Sequence, residues 1–190
     1  LGLLAAVVLL LRQPTSGPAL LTVERVRDFF PQASRLDEPA SKGATQAVRD
    51  ASGTVIGMVA QTAPESDSII GYSGASNVLI VMDAHGVVTG MRVLRSDDTP
   101  DHVAEVISQR SFFDQFKKMT LGHLEPKHID GVTGATLTSS AMAEGILRKL
   151  GRQGPSLRFP EIITLDEVKT LEPGAVALRE SKRMDGAMDV

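Results

Sequence analysis

Asp50-Ala51-Ser52-Gly53-Thr54-Val55-Ile56-Gly57-Met58 and Asp83-Ala84-His85-Gly86-Val87-Val88-Thr89-Gly90-Met91 are one pattern, D-A-x-G-x-V-x-G-M, written twice. In each copy the Asp-to-Gly stretch has the composition of a tight turn between runs rich in β-branched residues, so each copy reads as a β-hairpin. The second glycine of each copy falls inside a strand, where glycine marks a bulge or a close approach to the backbone. Asn77 to Met82, NVLIVM, leads into the second hairpin and is apolar at successive positions rather than alternate ones. That is the pattern of a central strand covered on both faces. A twisted antiparallel sheet follows.

Working outward, Thr22 reads as the cap of a short amphipathic helix with Val23, Val26 and Phe30 on one face, ended by Pro31. Beyond the second hairpin, Asp98-Thr99-Pro100-Asp101 opens a helix with Thr99 as N-cap and Pro100 as its first residue. Val103, Val106 and Ile107 line one face of it, and Phe112, Phe113 and Phe116 continue after a break near Ser111. A third helix is predicted from about Thr138 to Leu150, with Ala143, Ile146, Leu147 and Leu150 as its stripe. Arg148 and Lys149 suit its negative end and Gly151 stops it. The fold class is α+β, a twisted antiparallel sheet with helices packed against it.

The 190 residues suit one well-buried domain with appendages. We divide them into residues 1–20, an apolar segment, residues 21–152, the domain, and residues 153–190, a linker and the start of a second, truncated repeat. The repeat aligns Thr22 to Leu36 with Thr164 to Leu178, with identities at Thr22/Thr164, Val26/Val168, Pro31/Pro173, Ala33/Ala175 and Leu36/Leu178. The alternative is two unrelated helix-then-strand units that share a cap and a proline. Leu1 to Leu11, LGLLAAVVLLL, carries no charge and precedes Arg12. It reads either as the remnant of a membrane anchor or as the core of a signal segment, and both send the domain across or against a membrane. Leu1 in place of Met is the start expected of a chain cut from a longer one.

Composition narrows the function. A net charge of −3 gives no basic field for a phosphate backbone, so no nucleic-acid partner is expected. Without cysteine there is no disulfide, thiolate zinc site, iron–sulfur cluster or nucleophilic thiol. Any redox chemistry must come from a bound organic cofactor.

Asp130-Gly131-Val132-Thr133-Gly134-Ala135-Thr136-Leu137-Thr138-Ser139-Ser140 is the most informative stretch. Small residues leave the backbone uncluttered, hydroxyls surround it, and a helix begins at once. Free N–H groups and the positive end of a helix dipole suit a phosphate. The plainer alternative is a loop whose Thr and Ser side chains only cap the helix.

Asp130 to Thr136 also resembles the flavinylation sequence D-x-x-[ST]-G-A-T of the FMN-binding domain family. That domain occurs in subunits of the sodium-pumping NADH:quinone oxidoreductase and the Rnf complex, and in membrane regulators of nitrous oxide respiration. Gly71-Tyr72-Ser73-Gly74 is similar to the G-Y-S-G segment of the last group, and Asp98-Thr99-Pro100 sits where Rnf-type subunits have E-T-P-G, with Asp for Glu and Asp101 for Gly. The resemblance covers roughly Asp67 to Leu150. It implies FMN joined by its phosphate to Thr136, with Thr133, Gly134 and Ala135 shaping the turn, through a flavin transferase that uses FAD. Candidate ring neighbours are Tyr72, Ser73 and Thr99; Thr138 and Ser139 are candidate phosphate donors; Asp130 opens the motif. It further implies membrane electron-transfer partners, a periplasmic domain held by the N-terminal apolar segment, and a carrier that needs no catalytic side chain.

Rival readings of these residues are weaker. Gly71-Tyr72-Ser73-Gly74-Ala75 misses a G-x-S-x-G nucleophile elbow at its last position and precedes a strand. His123, Glu125, His128 and Asp130 lack metal-ligand spacing, so no metal is expected. Asp97 and Asp98 form a candidate carboxylate pair, for which a helix-entry role is favoured. Two other functions remain: a non-redox exported binding or scaffolding module, and a carrier of FMN without a covalent bond.

Overall fold

Both repeated hairpins form, and for the same reason. In the computed structural model the Asp50 carboxylate accepts the Ser52 and Thr54 N–H groups at 2.9 and 3.0 Å. Asp83 accepts those of His85 and Val87 at 2.8 and 3.0 Å. Gly53 and Gly86 then turn the chain at φ +87° and +81°, a region that favours glycine. The structure describes residues 21–122 and 128–152, with residue 169 and the pairs 179–180 and 188–189. The apolar run of 1–20 and nearly all of the second repeat lie outside the described residues.

Five strands, β1 (Arg35–Leu36), β2 (Gln46–Arg49), β3 (Val55–Gln61), β4 (Ser76–Met82) and β5 (Val88–Ser96), pair antiparallel in chain order. A further pair, β6 (Arg179–Glu180) and β7 (Met188–Asp189), is also antiparallel. Every residue of β4 is buried. Val78, Ile80 and Met82 join the core on one side of the sheet, and Leu79 and Val81 join the core on the other. The unbroken apolar run is therefore two alternating stripes, each with its own cover.

The second glycine of each hairpin serves both expected purposes. The ladder slips register beside each, between Val48 and Arg49 and between Val81 and Met82. Each also leaves room for an aromatic ring: a Cβ at Gly57 would lie 2.3 Å from Phe30 Cε1, and one at Gly90 would lie 2.8 Å from Phe29 Cε1. These rings follow α1 (Val23–Val26), which is shorter than the predicted helix and leaves Phe30 beyond its end. Val26 is fully buried, and with Phe29 and Phe30 it covers the face of the sheet that carries Val48, Val59, Leu79 and Val81.

The other face carries α2 (Pro100–Ser108), α3 (Arg110–Asp114) and α4 (Thr136–Lys149). Ile146 and Leu150 of the predicted stripe are fully buried, with Ala143 and Leu147 beside them. Gly151 ends the helix at φ +108°. Three boundaries differ from expectation. The break between α2 and α3 falls at Gln109, whose ψ of 80° is not helical, instead of near Ser111. Ile107 is 50% exposed, so Val103 and Val106 alone turn inward from that helix. Helix α4 begins at Thr136, two residues early, because Gly134 at φ +82° and Ala135 at φ −134° complete the turn before it. Among the described residues no helix is long and apolar enough to cross a membrane.

Gly57→Ala should place a methyl against both Phe30 and the Met82 carbonyl, 2.8 Å away. We expect a loss of about 1–3 kcal/mol, the usual range for overpacking, read as a lower denaturation midpoint in urea.

Candidate functional site

The segment that enters α4 is held at its start and at its middle. Gln115 clamps its start, donating from Nε2 to the Asp130 carbonyl at 3.0 Å and accepting the Asp130 N–H at 2.8 Å. Ser139 holds its middle: its Oγ accepts the Val132 N–H at 2.9 Å and donates to the Thr136 carbonyl at 3.0 Å. A side chain at Gly131 would crowd that hydroxyl, with Cβ and Oγ 3.3 Å apart. Val132 and Ala135 are buried, whereas Thr133, Gly134 and Thr136 face solvent.

Thr136 is thus the first residue of a helix of 14 and is exposed. Its Oγ1 makes a long bond to the Val132 carbonyl, 3.4 Å. The first i→i−4 bond of the helix runs from the Ser139 N–H to the Ala135 carbonyl, so the N–H groups of Thr136, Leu137 and Thr138 precede it and have no intrahelical acceptor. A Cβ at Gly134 would meet nothing within 4 Å, so the approach on that side is open. Hydroxyl, helix end and open backbone meet at one place.

Thr138 and Ser139 point the other way. They are 1% and 0% exposed, and their hydroxyl protons are committed inside, that of Thr138 to Asp98 and that of Ser139 to the Thr136 carbonyl. What they offer an anion from this position is the Thr138 main-chain N–H alone. Thr99 occupies the N-cap position of α2 as expected, but its side chain makes no cap bond; its hydroxyl pairs with that of Ser73 at 3.0 Å.

Sequence reasoning missed the centre of this arrangement. Asp98 is 5% exposed, and its carboxylate collects donors from the 71–74 segment, the entry to α2 and the first turn of α4. Oδ2 accepts the Tyr72 N–H at 3.0 Å and the Thr138 hydroxyl at 2.7 Å. Oδ1 accepts the Ser73 N–H at 2.7 Å, the Ser73 hydroxyl at 3.2 Å and the Thr99 N–H at 2.8 Å. The 71–74 segment reaches it because its glycines allow contact: a Cβ at Gly71 would lie 2.0 Å from Asp98 Oδ2, and one at Gly74 would lie 2.1 Å from the Asp97 carbonyl oxygen. The helix-entry expectation explains only the Thr99 bond. A G-x-x-G segment beside an acid was the available signal, and it becomes informative only when the two are known to touch.

Burial of Asp98 pushes its carboxyl up, but the bonds from Thr138, Ser73, Thr99 and Tyr72 outweigh it and hold the group below its ordinary value. Further side-chain hydrogen bonds at the start of β4 and the end of β5 back this position. Ser96 Oγ accepts the Asp98 N–H at 3.1 Å and pairs with Ser76 Oγ at 2.8 Å, while Asn77 binds Gln61 at 2.8 Å. Among the described residues no buried side-chain nitrogen or oxygen lacks a partner.

Two cavities are notable, one of them against the segment that enters α4. One of about 260 Å³ is lined by Asp130, Gly131, Ser139, Ser140 and Phe112, with His128, Ile129 and Ala143. A larger one, about 480 Å³, runs along β5 between Phe29 and Phe113. Neither of these two is lined by Thr136, Tyr72 or Ser73; the exposed start of α4 at Thr136 and Leu137 forms a shelf. Tyr72 is 62% exposed, edge-on to His102 with ring centroids 4.6 Å apart, and Leu137 is 37% exposed. Asp130 is exposed and its carboxylate faces His128, at 3.4 Å. His123 and Glu125 lie outside the described residues.

Residues 71–150 match the family model described as the FMN-binding domain. The span begins at the first glycine of the 71–74 segment and closes at the end of α4, so it encloses all the residues gathered around Asp98. The resemblance read from the sequence is borne out there. The chain is also similar to a subunit of the Na(+)-translocating ferredoxin:NAD(+) oxidoreductase complex of Acetobacterium woodii, 30% identical over 102 residues. That match covers 50% of this chain and 47% of the relative, so the chain spans about half the length of the curated protein it matches.

Because the folded-state pKa of Asp98 is depressed, its contribution to stability is complete above the unfolded value, about 3.9, and is lost as pH falls through the folded one. Asp98→Asn should cost about 2–3 kcal/mol at neutral pH by leaving buried donors unpaired, and should flatten the acid limb of a melting-temperature profile. An acid limb as steep as that of the unaltered protein would contradict this.

Proposed function

We propose that this chain carries FMN through a phosphoester on Thr136 Oγ1 and exchanges electrons with membrane-bound partners from the outer, periplasmic side. The observation that carries the reading is the exposure of Thr136 at the first position of α4, while Ala135, Thr138 and Ser139 around it are buried. The matched family and the similarity to part of a ferredoxin:NAD(+) oxidoreductase complex support it.

The residues present fit the group. Gly134 leaves space for a bulky ester beside the hydroxyl, and the N–H groups of Leu137 and Thr138 with the helix dipole favour a phosphate next to it. Thr133 and Ala135 shape the turn, Gln115 anchors it at Asp130, and Tyr72, Ser73 and Thr99, which share Asp98 with Thr138 of α4, are the proposed neighbours of a ring. The flavin supplies one- and two-electron transfer when bound, so no side chain is required as acid or base. The protein's part is to hold the group on the shelf and set its electrostatic surroundings.

Attachment by a flavin transferase balances with FAD as donor. The Thr136 oxygen forms a bond to the FMN phosphorus, the pyrophosphate bond breaks, AMP leaves with the electron pair, and the hydroxyl proton passes to solvent. A covalent link keeps the cofactor from diffusing away outside the cytoplasm. The apolar segment of residues 1–20 is the proposed tether to the membrane.

Co-expression with a flavin transferase should give a yellow protein whose intact mass is higher by one FMN less one water, with the flavin retained after denaturation. Thr136→Ala should lose the added mass entirely. A colourless protein would favour the non-redox module; flavin released on unfolding would favour binding without a bond; an adduct that survives Thr136→Ala would remove the assignment.

A further inference from the structure

We propose that Asp98 is the positioning residue of this site: one buried carboxylate locks the Tyr72-bearing segment to the first turn of α4 and so sets the aromatic wall against the acceptor hydroxyl. The inference rests on Thr136 being the acceptor, and it goes beyond that reading by assigning the geometry of the shelf to a residue outside the flavinylation sequence.

Two observations carry it. First, the backbone of the 71–74 segment leans on the carboxylate. Gly71 donates to the Gly74 carbonyl at 3.0 Å, and a single bridge joins Ile70 and Ala75. Between them the N–H groups of Tyr72 and Ser73 both end on Asp98. The Tyr72 ring is exposed and touches His102 alone among aromatic groups of the described residues. Its backbone is therefore fixed by the carboxylate below, and its ring by the edge contact with His102.

Second, Thr138 reaches the same carboxylate from α4. Successive residues of a helix are rotated by roughly 100°, so fixing Thr138 inward turns Thr136 and Leu137 outward. The 2.7 Å bond from Thr138 Oγ1 to Asp98 Oδ2 is the rotational setting of the first turn. Gly71 stands directly against it, since a Cβ there would also lie 3.1 Å from Thr138 Cα. Segment and helix are thus in contact, with the carboxylate as their shared acceptor. A carboxylate suits this junction because it has acceptor positions on both oxygens and no donor of its own.

The chain contains one tyrosine and no tryptophan, so near-ultraviolet circular dichroism in the tyrosine region reports on position 72 without any flavin present. Asp98→Asn should lose most of that signal while the far-ultraviolet spectrum keeps its helices. With a flavin transferase and FAD, the same variant should slow attachment roughly tenfold to a hundredfold, the cost of misplacing a reacting group by ~1 Å. Thr138→Val, which removes one hydroxyl and keeps the side-chain shape, should change the Tyr72 signal although it lies on another element. It remains decisive if Asp98→Asn fails to fold.

A wild-type tyrosine spectrum in the folded variants, or attachment at the wild-type rate with an altered spectrum, would overturn the proposal. Should the unaltered protein accept no flavin, the functional reading fails, and the tyrosine spectrum alone then decides whether Asp98 couples the segment to the helix.

Discussion

A carboxylate removed from water must be met by donors on every side, and the upper end of this fold is organised around meeting that demand at Asp98. The donors come from the 71–74 segment, the entry to α2 and the first turn of α4. None of the three is regular sheet, and they lie up to 40 residues from the acid in the chain. Their common need is an acceptor that holds several bonds at once. The sheet supplies the fixed floor, because β4 is buried on both faces and begins where this cluster ends. Long-range order at the site thus follows from a local electrostatic requirement placed on a rigid support.

The sheet was legible in advance because its turns are written in residues with narrow conformational use. Asp50 with Gly53, and Asp83 with Gly86, state their turns outright, and NVLIVM states that both faces are covered. The helices were legible in their buried stripes and less so at their ends. The preference of Thr and Ser for caps puts Thr136 in a loop, yet the preceding Gly134 and Ala135 take the irregular conformations and leave Thr136 helical. Spacing alone assigns Ile107 to the core, and spacing does not record which side of a helix its neighbours leave uncovered.

The site was legible as a motif but not as an arrangement. The residues of Asp130 to Thr136 stand out one by one, and the main chain does bring them to an exposed hydroxyl. The role of Asp98 was not readable, because its partners lie 25, 26 and 40 positions away and because an acid before a helix already has a sufficient local explanation. Nor could sequence say that the hydroxyls of Thr138 and Ser139 turn inward. Hydroxyl side chains at a helix start are equally suited to a ligand and to the protein's own backbone.

The two phenylalanine seats have a mechanical meaning. Phe29 and Phe30 dock on the face of the sheet opposite the helices, each in the space left by a hairpin glycine. Tension applied to the chain at Leu21 is therefore delivered across β3 and β5 as shear between rings and strands. The helix that presents Thr136 stands behind the sheet from that load. The ring seats and helix α4 thus lie on opposite faces of one sheet, with the strands between the leading end of the described chain and the exposed hydroxyl.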